Sequence, residues 1–307
     1  MKADWGKLIM TKSLVTGGAG FIGSNLVDRL IELGHEVIVI DNESSDAHEH
    51  PYWNTKSHNY KRDICDYVNT RELYDGVDYV FHLAAEARIQ PTINDPVKAT
   101  LVNTLGTNVV LQCAREAMVK RVMYSSTSAA YGRNPLPNIE SQEDDCLNPY
   151  SVSKANGEKL CKMYTELFGL ETVIFRYFNA YGNRQPIRGQ YAPVMGIFGR
   201  QKLEGDLLTI VGDGEQRRDF VNVFDIVEAN IIAATAELDS KHLGTIFNIG
   251  SGTNYSVNEV ANMYNHPIIN IPARIGEMKE TLADTLKANV ILKWYPKVNL
   301  KEWLNEN

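Results

Sequence analysis

Short apolar runs and longer amphipathic segments alternate along the first half of the chain. The apolar runs cover residues 14–16, 37–40, 79–83 and 122–124, and each has the length of one strand. Segments with apolar side chains at helical spacing follow, and the clearest cover 97–118 and 150–168. Strands that alternate with helices indicate an α/β protein with a doubly wound parallel sheet, so we predict a Rossmann-type fold that binds ligands at the carboxyl ends of its strands.

A glycine cluster follows the first apolar run. Gly17, Gly20 and Gly23 fit the spacing G-x-x-G-x-x-G, and Gly18 with the last two fits G-x-G-x-x-G. Glycines allow a tight turn, let backbone N–H groups approach a pyrophosphate, and let the next helix pack closely on the strand. Because the N-terminus of that helix carries partial positive charge, the segment is typical of a phosphate-binding turn.

The second apolar run ends at an acidic residue, Asp41, eighteen residues beyond Gly23. An acidic side chain at about this distance binds the ribose hydroxyls of NAD and repels the 2′-phosphate of NADP. No arginine follows Asp41 closely, so the sequence predicts NAD as the cofactor. The alternative interpretation is an ordinary surface carboxylate at a strand end, but the glycine cluster favours the cofactor.

The composition narrows the functional classes. The 307 residues are 44% hydrophobic, which is enough for a well-buried core, and the formal net charge is −7. An acidic chain lacks the clustered lysine and arginine that nucleic-acid binding requires, so no nucleic-acid partner is expected. No apolar run approaches the length of a membrane span, and the N-terminal segment lacks the apolar core of a signal peptide, so we expect a cytoplasmic protein without a membrane partner.

Candidate metal ligands are sparse. The four cysteines are scattered without a C-x-x-C pair, which indicates neither a zinc site nor a disulfide scaffold. His48, Glu49, His50 and His58 lie in a polar stretch, residues 42–59, that is predicted to be a loop. Histidines in a solvated loop usually bind no ion, so no metal is expected.

Two candidate catalytic side chains lie at the start of the second amphipathic segment. Tyr150 and Lys154 are four residues apart and therefore share one face of a helix. A lysine ammonium beside a phenol favours the phenolate, which predicts a lowered pKa for Tyr150 and a general base. Thr127, at the end of the preceding predicted strand, is the hydroxyl expected to hold the substrate oxygen and relay its proton. Tyr52 and Lys56 have the same spacing, but they lie in the polar stretch without strand-end hydroxyls upstream.

Further motifs occur along nearly the whole chain. They are Asp63-Ile64, His82-Leu83-Ala84-Ala85, Asn103, Ser125-Ser126-Thr127, residues 176–182 (Arg-Tyr-Phe-Asn-Ala-Tyr-Gly), Gly212-Asp213-Gly214, Arg218-Asp219-Phe220-Val221 and residues 274–277 (Arg-Ile-Gly-Glu). Together with the glycine turn and the Tyr150–Lys154 pair, they occur in the order typical of one family. In this pattern the chain resembles the extended short-chain dehydrogenase/reductase family and, within it, the nucleotide-sugar 4-epimerases.

The resemblance implies a site for NAD and an adjoining site for a UDP-sugar. Asp41 would hold the adenosine ribose, and Asp63 and Ile64 would flank the adenine. The set implied to contact NAD is Gly17, Gly20, Phe21, Ile22, Gly23, Asp41, Asn42, Asp63, Ile64, Leu83, Ala84, Ala85, Asn103, Ser125, Tyr150, Lys154 and Tyr177. The set implied to contact the sugar nucleotide is Thr127, Asn179, Arg218, Arg274, Glu277 and Thr281. Two arginines outside the NAD half suit a diphosphate, although either alone could be a surface ion-pair partner.

The reaction implied is inversion at C4 of a UDP-hexose or UDP-N-acetylhexosamine through a transient 4-keto sugar, with Thr127, Tyr150 and Lys154 as the catalytic set. Related dehydratases and decarboxylases carry an acidic residue just after the catalytic hydroxyl, where this chain has Ser128 and Ala129. Decarboxylation, dehydration or net reduction of a nucleotide sugar is the alternative reaction. A non-catalytic NAD-binding module is the alternative class.

The resemblance also implies a substrate preference, two domains and a homodimer. A small Thr281 at the position that gates the sugar pocket would admit N-acetyl groups, unless this residue only packs in a strand. The predicted domains are an NAD-binding domain at 1–179, with returning segments around 215–236 and 245–250, and a smaller, mainly substrate-binding C-terminal domain at 180–307. The two long predicted helices would pair with their copies across the dimer.

Overall fold

The computed structural model describes residues 10–46, 48, 50–187, 192–273 and 278–306. Its strands are β1 (Lys12–Thr16), β2 (Glu36–Asp41), β3 (His58–Lys61), β4 (Tyr79–His82), β5 (Arg121–Thr127), β6 (Glu171–Tyr177), β7 (Asn179–Tyr181), β8 (Leu208–Val211), β9 (Arg217–Asn222), β10 (Thr245–Ile249), β11 (Asn254–Ser256) and β12 (Ile268–Ile271). Its α-helices are α1 (Phe21–Glu32), α2 (Tyr67–Thr70), α3 (Ile89–Asn94), α4 (Pro96–Thr100), α5 (Thr107–Glu116), α6 (Pro149–Phe168), α7 (Val194–Glu204), α8 (Val223–Thr235), α9 (Val257–Tyr264) and α10 (Leu300–Glu306). Short 3₁₀ turns at Arg71–Tyr74, Ser128–Tyr131 and Ser240–His242 and π-helical segments at Leu101–Gly106 and Ala288–Leu292 complete the described elements.

Seven strands form one parallel sheet in the order β10-β6-β5-β4-β1-β2-β3. From β1 the chain adds β2 and β3 on one side, and β4, β5, β6 and β10 on the other. The winding direction therefore reverses between β1 and β4. Doubly wound sheets bind ligands at such a reversal, outside the carboxyl ends of the strands. The predicted parallel α/β fold is confirmed.

One strand begins inside the segment 42–59 that the sequence predicts to be a loop, and it continues two residues beyond it. β3 begins at His58, and all four of its residues are exposed. It lies at the edge of the sheet and pairs with β2 from Ile38 to Asp41 through the backbone. An exposed edge strand needs no apolar side chains, so its polar sequence carries no alternation that could reveal it.

The helix predicted at 97–118 is interrupted. α4 and α5 are separated by the π-helical segment Leu101–Gly106. Gly106 packs closely on the loop after β3, because a Cβ at this glycine would lie 2.7 Å from Ile64 Cδ1. The π segment also carries Asn103, which is 1% exposed. Such segments are frequent at functional sites, and the helical periodicity of the sequence does not distinguish them from an α-helix.

The second half of the chain adds two small sheets. β7, β9 and β11 form one sheet, and β8 pairs with β12. These strands share an apolar core with α7 and α9 that includes Tyr181, Met195, Phe198, Leu208, Ile210, Phe220, Val260 and Tyr264. β10 instead joins the parallel sheet, and α8 packs on α1, where Arg29 pairs with Glu228 at 3.0 Å. The domain boundary at residue 179 stays a prediction.

The polar loop before β3 packs around an aromatic ring. The rings of His48 and His50 lie edge-on to Tyr52, with centroid distances of 5.3 and 5.2 Å.

The described His, Cys, Asp and Glu side chains form no group of three that could hold a metal ion, and Glu49 lies outside the described residues. None of the described helices is both long and apolar enough to cross a membrane.

Candidate active site

Side chains from neighbouring strands converge at the carboxyl edge of the parallel sheet. β1 ends at the glycine turn, Ala84 follows β4, β5 ends at Thr127 and β6 ends at Tyr177. Ser125 Oγ donates a hydrogen bond to Tyr177 Oη at 3.2 Å, and Asn230 Nδ2 donates to the same oxygen at 2.7 Å. Burial raises the pKa of Tyr177 to about 12, so this phenol stays neutral beside the site.

The glycine turn leaves no room for side chains. Gly17 has a φ of +69°, and a Cβ there would lie 2.7 Å from the backbone nitrogen of Ala84. A Cβ at Gly23 would lie 2.1 Å from the backbone oxygen of Gly17. The spacing of these glycines is therefore required by the contact of strand, turn and helix, which also keeps the backbone accessible to a phosphate.

The start of α1 fits a pyrophosphate. Gly20 is the N-cap residue, no side chain caps this helix end, and its first turn contains no acidic residue. The first backbone N–H groups of a helix, here those of Phe21, Ile22 and Gly23, have no carbonyl partner within the helix and carry partial positive charge. An uncapped helix end behind a turn without side chains is suited to the diphosphate of a dinucleotide.

Polar groups implied to surround the adenosine lie side by side. Asp41 Oδ2 accepts a hydrogen bond from the backbone N–H of Ala19 at 3.1 Å, and its Oδ1 accepts from that of Glu43 at 2.8 Å. Asn42 Nδ2 donates to Asp63 Oδ2 at 3.2 Å. The residues at the ends of β2 and β3 thus meet next to the glycine turn.

The segment after β4 lies directly against β1. Leu83 donates its backbone N–H to the carbonyl oxygen of Thr16 at 3.1 Å, and Ala84 donates to Thr16 Oγ1 at 3.3 Å. Ala85 forms a partly exposed bend after them. Small side chains at these positions allow a flat ring or a phosphate to approach the sheet edge.

Asn103 joins this segment to α6. Its Oδ1 accepts a hydrogen bond from the backbone N–H of Glu86 at 2.8 Å, and its Nδ2 donates to Ser153 Oγ at 3.0 Å. The buried amide therefore couples the loop after β4 to the helix that carries Tyr150 and Lys154.

The start of α6 is fixed by its own sequence. Asn148 Oδ1 accepts a hydrogen bond from the backbone N–H of Ser151 at 2.9 Å, and Ser151 Oγ accepts from that of Asn148, which together form a capping box. Pro149 occupies the first helical position, where its missing N–H costs no hydrogen bond. Helical geometry then places Tyr150 and Lys154 on one face, as the sequence predicts.

Two of the three predicted catalytic residues, Thr127 and Tyr150, come together at the end of β5, and Lys154 lies one helical turn beyond Tyr150 on α6. The Tyr150 hydroxyl is hydrogen-bonded to Thr127. Thr127 Oγ1 also accepts from the backbone N–H of Ala129 at 3.1 Å, which caps the following 3₁₀ turn. Lys154 is 2% exposed, and its Nζ lies 4.3 Å from the ring centroid of Tyr124.

The ionisation of this pair differs from the sequence-based prediction. The sequence predicts that the Lys154 ammonium lowers the pKa of Tyr150. In the structure, burial raises the pKa of Tyr150, and the hydrogen bond with Thr127 opposes that shift only in part. Burial also lowers the pKa of Lys154 to about 7. The predicted direction for Tyr150 is therefore wrong, because removal from water disfavours the charged form of both groups.

On the substrate side, Asn179 and Thr281 lie together. Asn179 Nδ2 donates to the carbonyl oxygen of Asp219 at 3.1 Å and to Thr281 Oγ1 at 3.4 Å. Thr281 is 1% exposed, and its Oγ1 also accepts from the backbone N–H of Asp219 at 3.2 Å. The Thr281 hydroxyl thus accepts hydrogen bonds from Asn179 and from the Asp219 backbone. Its implied role in gating the sugar pocket stays a prediction.

Of the two arginines implied to contact the sugar nucleotide, the structure describes Arg218. Arg218 Nη1 donates to the carbonyl oxygen of Arg217 at 2.9 Å and to that of Lys279 at 3.3 Å. Arg218 therefore lies against the chain just beyond residues 274–277. Arg274 and Glu277 themselves lie outside the described residues, so their roles stay predictions.

Asp219, next to Arg218, is a buried carboxylate to which the sequence analysis assigns no role. Its carboxylate accepts hydrogen bonds from the Ser251 backbone at 2.7 Å, the Ser251 hydroxyl at 2.8 Å, and the Gly252 and Ala283 backbones at 3.0 Å each. Burial raises the pKa of Asp219, and these hydrogen bonds oppose the shift. Its place beside Arg218 in a named motif is the sequence signal, but the partners are distant in the chain.

Most of the chain matches the model of one protein family. The family model described as "NAD dependent epimerase/dehydratase family" matches residues 13–250. The chain belongs to this family. Within it the chain is a member of the extended short-chain dehydrogenase/reductase branch, and its cofactor is NAD.

Individual relatives differ in their reactions. UDP-glucose 4-epimerase of Mycolicibacterium smegmatis is 34% identical over 95% of this chain and 95% of its own length. UDP-N-acetyl-alpha-D-glucosaminuronate decarboxylase of Bacillus cytotoxicus is 36% identical over 96% of each chain. The crystal structure of UDP-glucose 4-epimerase from Thermotoga maritima with UDP-glucose matches with a TM-score of 0.90 and 36% identity, and covers 96% of each chain.

His82 is a buried histidine next to the candidate site, and its protonation state can be tested. Its Nδ1 is hydrogen-bonded to Thr16 Oγ1 at 2.7 Å and its Nε2 to Thr107 Oγ1 at 2.9 Å. Burial, with a smaller contribution from the Lys154 charge, lowers the pKa of His82 to about 3. The folded protein therefore keeps this imidazole neutral, whereas the unfolded chain protonates it below its ordinary pKa of 6.5.

We expect the stability supplied by neutral His82 to be complete above pH 6.5 and to fall as pH decreases toward 3. The slope from this one group is about 1.4 kcal/mol per pH unit. Chemical denaturation of the wild type and of His82→Gln at several acidic pH values measures it, and the variant should lose that part of the slope. His58→Gln, at an exposed position, is the matched control. An identical pH dependence in the wild type and His82→Gln would contradict a neutral buried imidazole.

Proposed function

We propose that the protein inverts C4 of a UDP-hexose or UDP-N-acetylhexosamine through a transient 4-keto sugar. The observation that carries this proposal is the hydrogen bond between Tyr150 and Thr127 at the sheet edge, with Lys154 one helical turn beyond Tyr150, beside a turn that lacks a carboxylate. These groups can move a proton at a sugar hydroxyl next to a dinucleotide site. Nothing in the turn offers a base for the neighbouring carbon.

The turn after Thr127 supports epimerisation among the candidate reactions. It consists of Ser128, Ala129, Ala130 and Tyr131, all buried. The resemblance places the additional acid of dehydratases and decarboxylases in this turn. Here the backbone N–H of Ala129 serves as a donor to Thr127, and Tyr131 donates to Asn248 Oδ1 at 2.7 Å. Epimerisation requires no further base, so it suits this turn best.

Each catalytic residue has a separate task in this proposal. Tyr150 takes the proton of the sugar 4-hydroxyl and later returns one, while Thr127 orients the oxygen by hydrogen bonding. Lys154 would supply positive charge that favours the phenolate and so opposes the effect of burial on the pKa of Tyr150. When bound, NAD would supply the hydride chemistry: hydride would leave C4 for the nicotinamide and return to the opposite face of C4, so no net oxidation would result.

Decarboxylation of a UDP-uronate is the second candidate. The 36% identity to the Bacillus cytotoxicus decarboxylase, as high as that to the Thermotoga maritima epimerase, favours it. The deciding experiment incubates the protein and NAD separately with UDP-glucose, UDP-N-acetylglucosamine and UDP-glucuronate, and follows the sugars by NMR. We expect C4 epimers of one or both neutral sugars. Carbon dioxide and a pentose from the uronate, with neutral sugars unchanged, would contradict the proposal.

Tyr150→Phe removes the proposed base and leaves the ring in place. We expect it to lower kcat by about one hundred- to ten-thousand-fold, the usual contribution of general acid–base catalysis, with bound NAD retained. Tyr52→Phe is the matched control, because Tyr52 also precedes a lysine by four residues but lies in the loop before β3. Turnover of Tyr150→Phe at the wild-type rate would remove Tyr150 from the reaction.

We also propose a homodimer that covers an apolar row on α4, the π segment and α6. Val97, Leu101 and Leu105 are 77%, 48% and 47% exposed, and they recur every four residues. With Leu160 of α6 they line a groove of about 750 Å³. Such a row exceeds the scattered apolar exposure of ordinary surfaces and suits a second copy of these helices.

Leu101→Glu places a charge in this row, and we expect it to convert the dimer to a monomer in analytical ultracentrifugation. A buried, unpaired carboxylate at an interface costs several kcal/mol. Leu203→Glu is the control, since Leu203 is 90% exposed on α7, away from the row. A wild type that sediments as a monomer would contradict the dimer.

A further inference from the structure

Glu158 lies one helical turn beyond Lys154 on α6 and is 5% exposed. Its Oε1 accepts hydrogen bonds from Ser126 Oγ and from Arg176 Nε, the latter at 2.8 Å. Its Oε2 accepts from Arg176 Nη2 at 2.6 Å. The carboxylate is thus held between β5 and β6, on the same face of α6 as Tyr150 and Lys154.

Arg176 is shared between two carboxylates. It is 1% exposed, donates to Asp144 as well as Glu158, and lies over the Tyr131 ring at 4.4 Å. Its Nη1 has no hydrogen-bond partner among the described residues. Cys146, which also faces this group, has its pKa raised by burial, so its thiol is neutral. Asp144 is also paired with Lys159 Nζ at 3.7 Å, so Glu158 shares the Arg176 guanidinium with a carboxylate that has a second cationic partner.

The surroundings of Lys154 are otherwise neutral. Burial lowers its pKa to about 7, and Cys161 and Glu158 oppose that shift. Burial raises the pKa of the Cys161 thiol far above its ordinary range, and it also raises the pKa values of the Tyr124 and Tyr150 phenols. His82 on β4 is neutral because burial lowers its pKa. Among the described residues that shift Lys154, Glu158 is the only charged one.

We propose that Glu158 is a positioning residue that faces the buried Lys154 ammonium with a negative charge and holds Ser126, and with it the strand end that carries Thr127. The role assigned to Lys154 rests on the proposed function. Ser126 lies between Ser125, which contacts Tyr177, and Thr127, which contacts Tyr150. A carboxylate anchored by Arg176 thus links the charge of the lysine to the position of both hydroxyls.

Glu158→Gln tests the charge while it keeps the shape of the side chain. Nitrogen NMR of isotopically labelled lysine side chains follows the titration of Lys154, and Lys154→Met identifies its signal. We expect the Lys154 midpoint to fall by about one pH unit, the lower end of the effect of a nearby opposite charge. An unchanged midpoint in folded Glu158→Gln would overturn the proposal.

Four further variants separate charge from other effects. Glu166→Gln, on the same helix but exposed, should leave the midpoint unchanged, as should Cys161→Ala if that thiol is neutral. Glu158→Asp should restore most of the wild-type value. Asp144→Asn, at a partly exposed position, leaves Arg176 with one carboxylate and should lower the midpoint by a smaller amount. If Glu158→Gln does not fold, an unchanged midpoint in Asp144→Asn overturns the proposal.

The activity readout is the pH profile of kcat. Because the charged lysine is the active form, a lower midpoint should move the loss of activity at high pH to lower pH, with little change in KM. The titration of Lys154 requires no turnover. A normal shift of its midpoint without any epimerase activity would therefore refute the proposed function and leave the charge coupling intact.

Discussion

Burial of the Lys154 ammonium beneath the carboxyl edge of the sheet constrains the rest of the candidate site. An ammonium taken out of water is costly unless nearby groups compensate for it, and its pKa of about 7 reflects that cost. The compensation here is uneven, because the ring of Tyr124 contacts the Nζ whereas Glu158 acts from one helical turn away. Small changes in the charges around this lysine should therefore have large effects on its protonation.

The topology of the sheet explains how distant parts of the sequence meet at this lysine. Reversal between β1 and β4 brings the glycine turn against Ala84, and the adjacent β5 and β6 add Thr127 and Tyr177 at the same edge. The helix that carries Tyr150 crosses behind β5 and is held there by Asn103. β7 then follows β6 directly and joins the small sheet of β7, β9 and β11 in the second half of the chain.

Local patterns made much of this predictable. The alternation of apolar runs and helical segments indicates the parallel sheet, and the spacing of glycines reflects contacts within one turn, so Gly17 and Gly23 could be identified from the chain alone. The shared face of Tyr150 and Lys154 follows from helical geometry. Chain order of the motifs then identified the family, which the match over residues 13–250 confirms.

Other features depend on tertiary surroundings that no local pattern contains. β3 is polar because it is an exposed edge, so its sequence resembles a loop. The pKa of Tyr150 rises because the fold buries its hydroxyl, although a lysine stands nearby. The carboxylates of Asp219 and Glu158 are held by hydrogen-bond donors that are distant in the chain, which no local pattern reveals. The reaction itself is not determined by overall similarity, since relatives of nearly equal identity carry the names of an epimerase and a decarboxylase.

In the proposed reaction the proton of the 4-hydroxyl and the hydride of C4 leave and return to one sugar within one closed site. The most direct measurement uses UDP-glucose labelled with deuterium at C4 and follows the label in the product by NMR. Full retention of deuterium at C4 of the inverted sugar, with a slower reaction than for the unlabelled substrate, is the expected result. Loss of the label to water, or inversion at C4 without an isotope effect under single-turnover conditions, would contradict it.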